Sequence, residues 1–345
     1  MRLSGENLRS IVAAAGIVLL LAACGGDDDG SNAGTTEPAN SEFKIGLVTD
    51  VGQLNDRGFN QLAYEGLKRA EKELGVQIRV AQSRSASDYV PNHTALARDG
   101  FDLVIGVGFA QGDAVNSAAK SLPDSRFAII DVDQSTLKDK PANVVGILFR
   151  EEQAGYLAGV LAGRSVKDGA EPVVSSVGGF KEPPVDRFIA GYQAGAKAAL
   201  PGVRTLNGYS SDWDDQAKCK ELALNQIAQG ASVVFQVAGG CGLGALDAAR
   251  ERKVWGIGVD ADQSFLGPHV LTSAMKRVDE AVFRMIQSVI DGNWKGGVNL
   301  TLGLAEEGVG LGKLAPDVAE DDRKALEDAE REILAGEIQI PKSLR

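Results

Sequence analysis

The stretch IIDVDQS at residues 129–135 returns as GVDADQS at residues 258–264, and this recurrence decides the fold. Each copy starts in an apolar run and ends in carboxylates, which is how a buried strand delivers polar side chains beyond its carboxyl end. Working outward, LVIGVG at 103–108 is answered by VVFQVAG at 233–239, each followed by a Gly/Ala-rich helical stretch. Phe59 and Gly66 on one amphipathic segment are likewise answered by Phe188 and Gly195 on another. A repeat this long holds several strand and helix signals and can bury its own core, so it is no solenoid unit. The chain reads as two similar α/β lobes facing each other across a ligand cleft.

From residue 43 onward, short apolar runs alternate with helical patterns, as parallel sheets with crossover helices require. Strands are expected at 44–49, 77–81, 103–107, 127–130 and 144–148, then at 173–177, 204–209, 233–237, 255–259 and 270–274. Phe59, Leu62, Ala63, Gly66, Leu67, Ala70 and Leu74 share one helical face that Gly75 ends, and Asp215 precedes a helix at 216–229 that Gly230 ends. The fold class is α/β, with two doubly wound lobes whose parallel sheets are joined by hinge strands. The first lobe is expected over 43–143 plus 266–294 and the second over 144–265 plus 295–345. The chain would cross between them after 133–143, after 262–267 and near 291–297.

A chain of 345 residues with 44% hydrophobic content supplies two cores of ordinary size. Its formal charge of −11 offers no basic face for phosphate neutralisation, which excludes nucleic acid as a partner. Ahead of the lobes, Arg2 and Arg9 precede an apolar run at 11–23 that is too short to span a bilayer. It ends Leu21-Ala22-Ala23-Cys24, so residues 1–23 read as a processed leader. That ending resembles the lipobox of bacterial lipoproteins, which implies cleavage before Cys24 and acylation of its sulfur. Two or more acyl chains, at about 0.8 kcal/mol per buried CH2, hold a protein stably on a membrane. Residues 24–42 carry almost no apolar side chain and read as the lipidated Cys and a flexible tether reaching roughly 20–25 Å.

Ligands of open α/β sheets lie beyond the carboxyl ends of the strands, so the residues there carry the functional argument. They are Asp50, Phe59 and Asn60, then Phe109, Asp131 and Phe180, then Trp213, Gly239, Gly240, Asp260 and Lys276. Carboxylates at these places suit vicinal hydroxyls, and aromatic faces suit a flat base at about 1–3 kcal/mol per stack. Asp50, Asp131 and Asp260 together would repel a phosphorylated ligand. Plainer roles stay open: Asp56 and Asp214 serve equally as helix caps, Phe59 as core and Lys276 as solvated surface.

Four motifs in order carry a resemblance that runs from about Phe43 to the end of the chain. DVGQLNDRGFNQ at 50–61, VFQVAGGCGLG at 234–244, IGVDADQS at 257–264 and VLTSAMKRVD at 270–279 are similar to those of the basic membrane lipoprotein family. Its PnrA-like members are purine nucleoside-binding lipoproteins of ABC importers with a type I periplasmic-binding-protein-like fold. The resemblance implies a nucleoside of the adenosine, guanosine or inosine type between the lobes, with Phe59 and Trp213 stacking on its base. It implies Asp50, Asp260 and Lys276 around the ribose, Asn60 and Asp131 at the base edge, and an ABC permease as partner. This chain has Asn55-Asp56-Arg57-Gly58-Phe59 where the commoner run is Asp-Asp-Lys-Ser-Phe, and so lacks a hydroxyl at Gly58.

No enzyme reading competes well. GVGFAQG at 106–112 imitates a dinucleotide fingerprint but follows the third strand instead of opening the domain. Nucleoside hydrolysis would need a metal cluster or poised base, and the two histidines, His93 and His269, have no metal-like spacing and read as surface or loop residues. No cofactor or metal is expected. Cys219 and Cys241 form an even pair in an exported chain, either bridged or as two small buried thiols. The reading is a lipid-anchored receptor on the extracytoplasmic face of the cell membrane that binds a purine nucleoside for import. A lipid-anchored sensor, or a binder of a sugar-like molecule, would share its sequence features.

Overall fold

The computed structural model describes residues 42–52, 54–169 and 171–344. The expected leader, Cys24 and nearly all of the tether lie outside the described residues.

Two six-stranded sheets organise the chain. The first half runs β1 (Lys44–Val48), α1 (Phe59–Leu74), β2 (Gln77–Ala81), α2 (Tyr89–Arg98), β3 (Leu103–Gly106), α3 (Gly112–Ser121), β4 (Phe127–Ile130) and β5 (Val144–Phe149). After α4 (Glu151–Ser165) come β6 (Val173–Gly178), α5 (Pro183–Ala199), β7 (Arg204–Tyr209), α6 (Gln216–Ala228) and β8 (Val233–Val237). Then follow α7 (Gly239–Arg252), β9 (Trp255–Asp260), β10 (Val270–Lys276), α8 (Val278–Ile290), β11 (Val298–Leu302), β12 (Val309–Leu311) and α9 (Glu320–Leu334).

Strand order is β11-β5-β4-β3-β1-β2 in one sheet and β12-β10-β9-β8-β6-β7 in the other. Matching β1 to β6, β2 to β7 and so on makes the two orders identical, which is the duplication of the sequence expressed as topology. Every pairing is parallel except β10 with β12. Central strands such as β3, β4 and β8 are buried throughout because helices cover both faces, whereas the edge strands β2 and β7 are part exposed.

All ten expected strands exist, but the expected lobe boundaries do not follow the sheets. β5 lies beyond the expected break at 143 yet pairs with β4, and β10 pairs with β9 although it was assigned to the first lobe. The chain crosses instead at Arg150, at Arg277 and through residues 303–308, in each case one strand later than expected. Strand partners lie far away in sequence, so no local pattern marks which sheet an added strand joins. After the second crossing α8 returns to the first lobe, where Arg69 Nη1 meets Glu280 at 2.8 Å. β11 and β12, which were not expected, extend the two sheets.

Helix ends follow local chemistry. Asp56 caps α1, accepting from the N–H groups of Gly58 (2.9 Å), Asn60 (2.8 Å) and Gln61 (3.2 Å), and Gly75 ends it at φ 72°. Asp215 caps α6 through the Ala217 N–H, leaving Asp214 free of that duty. Helices α4 and α5 nearly interlock: a Cβ on Gly159 would stand 2.0 Å from the Tyr192 carbonyl oxygen, and one on Gly195 2.0 Å from that of Tyr156. The sulfurs of Cys219 in α6 and Cys241 in α7 are bonded, with Cα atoms 5.6 Å apart. The GGCG run forms the first turn of α7. His93 also departs from expectation: it is fully buried in α2, with Nε2 2.8 Å from Gln111 Oε1, and burial lowers its pKa to about 4.

Candidate functional site

Between the carboxyl ends of the two sheets lies a narrow cleft of about 70 Å³. Ten of the eleven expected residues line it: Asp50, Phe59, Asn60, Phe109 and Asp131 from the first lobe, and Trp213, Gly239, Gly240, Asp260 and Lys276 from the second. Phe180 does not line it. Its ring packs on Trp213 at 5.3 Å between centroids, so it buttresses that indole from the side.

Asp131 and Asp260, the recurrent pair, stand at φ 72° and 63° just where β4 and β9 end. The left-handed region is costly for most residues and tolerable for Asp, and its use at both strand ends turns both carboxylates toward the cleft. Lys276 is 2% exposed, with Nζ 2.7 and 2.8 Å from the Asp131 oxygens and 3.0 Å from Glu151 Oε1. The rings of Phe59 and Phe149 flank that ammonium at 4.9 and 5.0 Å. Burial alone would push Lys276 down, but Asp131, Glu151 and Asp260 more than reverse this, so it stays charged. Arg187 closes the network with Nε 2.6 Å from Glu151. Lys276 and Glu151 each stand beside a crossing, so the network ties the two lobes at the floor of the cleft.

Asp260 differs from Asp131. Burial, with repulsion from Asp56, Asp131 and Glu151 and only partial relief from Lys276, lifts its pKa to about 7. Its side chain accepts no hydrogen bond from the described residues. Asp50 Oδ1 accepts from the Val51 N–H at 2.7 Å and from the Tyr89 hydroxyl. Its Oδ2 approaches Gly108 so closely that a Cβ there would stand 2.4 Å away, and Gly108 has φ 110°, so only glycine fits. Burial raises Asp50 as well, against the pull of the Tyr89 hydroxyl.

Trp213 sits on Gly179, where a Cβ would lie 2.2 Å from the indole. Its loop is pinned by Asp212, whose Oδ1 accepts from the N–H groups of Asp214 (2.9 Å) and Asp215 (3.0 Å). Asn60 is largely occupied within the protein: Oδ1 accepts from the Asp50 N–H at 3.1 Å and Nδ2 donates to Asp56 at 3.2 Å. At one end of the cleft the lobes touch, Gln263 Nε2 donating to the Arg57 carbonyl at 3.2 Å while the Arg57 guanidinium lies 5.6 Å from the Phe265 ring.

Sequence reasoning missed Glu182, Val185 and Phe188 as lining residues, and Glu151, Arg187 and Tyr89 behind the lining. Glu182 follows the end of β6 by four residues, so the strand-end rule could have found it. Glu151 and Arg187 lie on helices and carry no such signal. The carboxylates of Asp50, Asp56, Asp131, Glu151, Glu182, Asp214 and Asp260 surround two cations, Lys276 and Arg187, which disfavours an anionic ligand. No group of His, Cys, Asp or Glu among the described residues could hold a metal ion.

Residues 43–344 match the family model described as ABC transporter substrate-binding protein, PnrA-like. The chain is 35% identical to a Lactococcus lactis protein named ABC transporter nucleoside-binding protein BmpA, over 90% of this chain and 92% of that one. It is 37% identical to an uncharacterised lipoprotein of Pyrococcus horikoshii, over 77% of this chain and 68% of that one. Among solved structures, an ABC transporter solute-binding protein from Aeropyrum pernix superposes with a TM-score of 0.79 at 27% identity, covering 88% of this chain and 94% of the other. Such proteins bind solutes and are not enzymes. Two lobes with identical strand order, an aromatic and acidic cleft at their strand ends, and a match over nearly the whole folded region lead to one conclusion: the chain belongs to the PnrA-like family of ABC transporter substrate-binding proteins.

Proposed function

We propose that this protein captures a purine nucleoside on the outer face of the cell membrane, held there through an acylated Cys24, and delivers it to an ABC permease. The observation that carries the ligand class is the pairing of aromatic faces with a buried carboxylate to which no side chain or N–H group among the described residues donates. Phe59 and Trp213 line the cleft with flat apolar surface, and Asp260, 7% exposed and without a donor among the described residues, is placed to accept from hydroxyl groups. A buried acceptor without a partner costs about 1–3 kcal/mol, which a ribose would recover. In this reading the base lies between Phe59 and Trp213, and Asp260 and Lys276 hold the sugar. The acidic cleft favours a nucleoside over a nucleotide. The name of the Lactococcus lactis relative agrees with this ligand, and relatives named lipoproteins agree with the anchor.

Delivery needs no chemistry. Each lobe contributes part of the lining, so the ligand favours the closed form by its differential affinity for the two forms. The test is a thermal-shift panel of nucleosides, free bases, sugars and amino acids on protein lacking residues 1–24. A purine nucleoside should raise the midpoint most. A response confined to sugars or to amino acids would overturn the ligand, and slow release of base and pentose would restore the hydrolase reading.

A further inference from the structure

We infer that Glu182 reads the base, selecting purines whose edge presents two adjacent N–H donors, as guanine does, over adenine. The inference rests on the nucleoside reading and goes beyond it in naming the purine.

Glu182 lines the cleft just ahead of α5, two residues past Phe180, whose ring packs on Trp213. That places it on the same loop as the buttress of the stacking plate. The plain role for an acidic residue at this point is to cap the helix, and Glu182 does not do so. It is the N-cap of α5 by position, yet its side chain makes no capping bond, and Pro183 and Pro184 take up the first helical positions. Its N–H donates to the Phe180 carbonyl at 3.0 Å and its carbonyl accepts from the Asp186 N–H at 2.9 Å, but its carboxylate has no hydrogen bond or ion pair with any described residue. Asp50 and Asp131 repel it, and burial with that repulsion raises its pKa to about 7. Asp50, which accepts from the Tyr89 hydroxyl, lines the same cleft from the first lobe while Glu182 lines it from the second. Two carboxylates facing one space are stable together when a proton or a donor-rich ligand edge lies between them.

Sugar hydroxyls are matched by Asp260 and Lys276, which leaves Glu182 for the base. Guanine offers N1–H and N2–H side by side, matching the two oxygens of a carboxylate. Hypoxanthine offers N1–H alone. Adenine sets the N1 lone pair against the carboxylate, with only the N6 hydrogens to donate. A bidentate pair of this kind discriminates by roughly five- to 150-fold, and a site built to receive a donor rejects the analogue that lacks it.

The test is calorimetry at pH 8, where Glu182 is ionised, with guanosine, inosine and adenosine on the parent protein, Glu182→Gln and Glu182→Ala. The parent should bind guanosine tightest and adenosine weakest. Glu182→Gln should lose tenfold or more for guanosine while holding or improving adenosine, because an amide can pair with both N6–H and N1 of adenine. Glu182→Ala should flatten the series, and thermal midpoints of the unliganded variants should not fall below the parent's, since each removes a charge that Asp50 and Asp131 repel. An unchanged guanosine-to-adenosine ratio, or equal weakening of all three ligands, would overturn the assignment. Failure of every nucleoside to bind the parent would instead remove the nucleoside reading itself.

Discussion

Replacing Lys276 by Met tests the network at the floor of the cleft. The thioether keeps the length of the stem and deletes only the ammonium, which is 2% exposed and neutralises Asp131 at 2.7 Å and Glu151 at 3.0 Å. Two buried carboxylates then remain, with Arg187 alone beside Glu151 at 2.6 Å. Breaking a buried pair by removing one partner costs about 3–5 kcal/mol, because the surviving charge keeps its desolvation penalty without compensation. At roughly 2–4 °C per kcal/mol for a chain of this size class, the midpoint should fall by on the order of 10 °C. Urea or thermal unfolding without ligand isolates this effect from binding. The pH dependence identifies its cause. Without the ammonium, Asp131, which burial already raises, loses the charge that draws it down, so the folded state binds a proton there more tightly and the penalty shrinks as pH falls from 7 toward 5. Glu151→Gln added to Lys276→Met should recover part of the loss. A loss below about 1 kcal/mol at pH 7, or a gap to the parent that does not narrow on acidification, would refute the reasoning.

Three further outcomes follow from the geometry. Gly159→Ala forces a methyl to 2.0 Å from the Tyr192 carbonyl oxygen, backbone against backbone, so α4 and α5 must part and stability should fall by several kcal/mol; Ala at the open Gly310 is the control, and equal midpoints for the two variants would sink the argument. Replacing Cys219 and Cys241 together by Ser should cost about 3 kcal/mol, from the chain entropy of a bridge spanning 22 positions plus burial of two hydroxyls, and urea titration showing no loss would contradict it. Asp260 should couple ligand to protons. Its carboxyl sits near 7 when folded against 3.8 as a free side chain, so its protonated form favours the unliganded fold below pH 4 and that contribution fades as pH rises to 7. A ligand that needs the ionised form should weaken by up to tenfold per unit as pH falls below 7, and Asp260→Asn should remove one proton from that slope; calorimetry giving the same slope for both proteins would exclude Asp260 as the acceptor.

Local patterns in the sequence determined a large share of this protein. Buried parallel strands show as unbroken apolar runs, so β4 and β8 are found at their expected bounds, and Gly75 and Asp215 punctuate helices through backbone conformation and capping that depend on few neighbours. The repeat of IIDVDQS as GVDADQS carried the two-lobed plan, and the strand-end rule brought Asp50, Phe59, Asp131, Trp213, Asp260 and Lys276 to one cleft. Only the tertiary structure decided the rest. Which sheet β5, β10 and β11 join depends on partners far along the chain, so the three crossings were misplaced by one strand. Lys276 is not solvated surface but a buried cleft residue held between Asp131 and Glu151, and Glu151 enters from a helix start that has no sequence mark of a site. His93 is buried because a single polar partner, Gln111, reaches it across the fold. Phe180 and Glu182 differ by which way the turn before α5 directs them, one onto Trp213 and one into the cleft, and Trp213 arrives from a loop more than thirty residues further along the chain, a contact that a linear pattern does not contain.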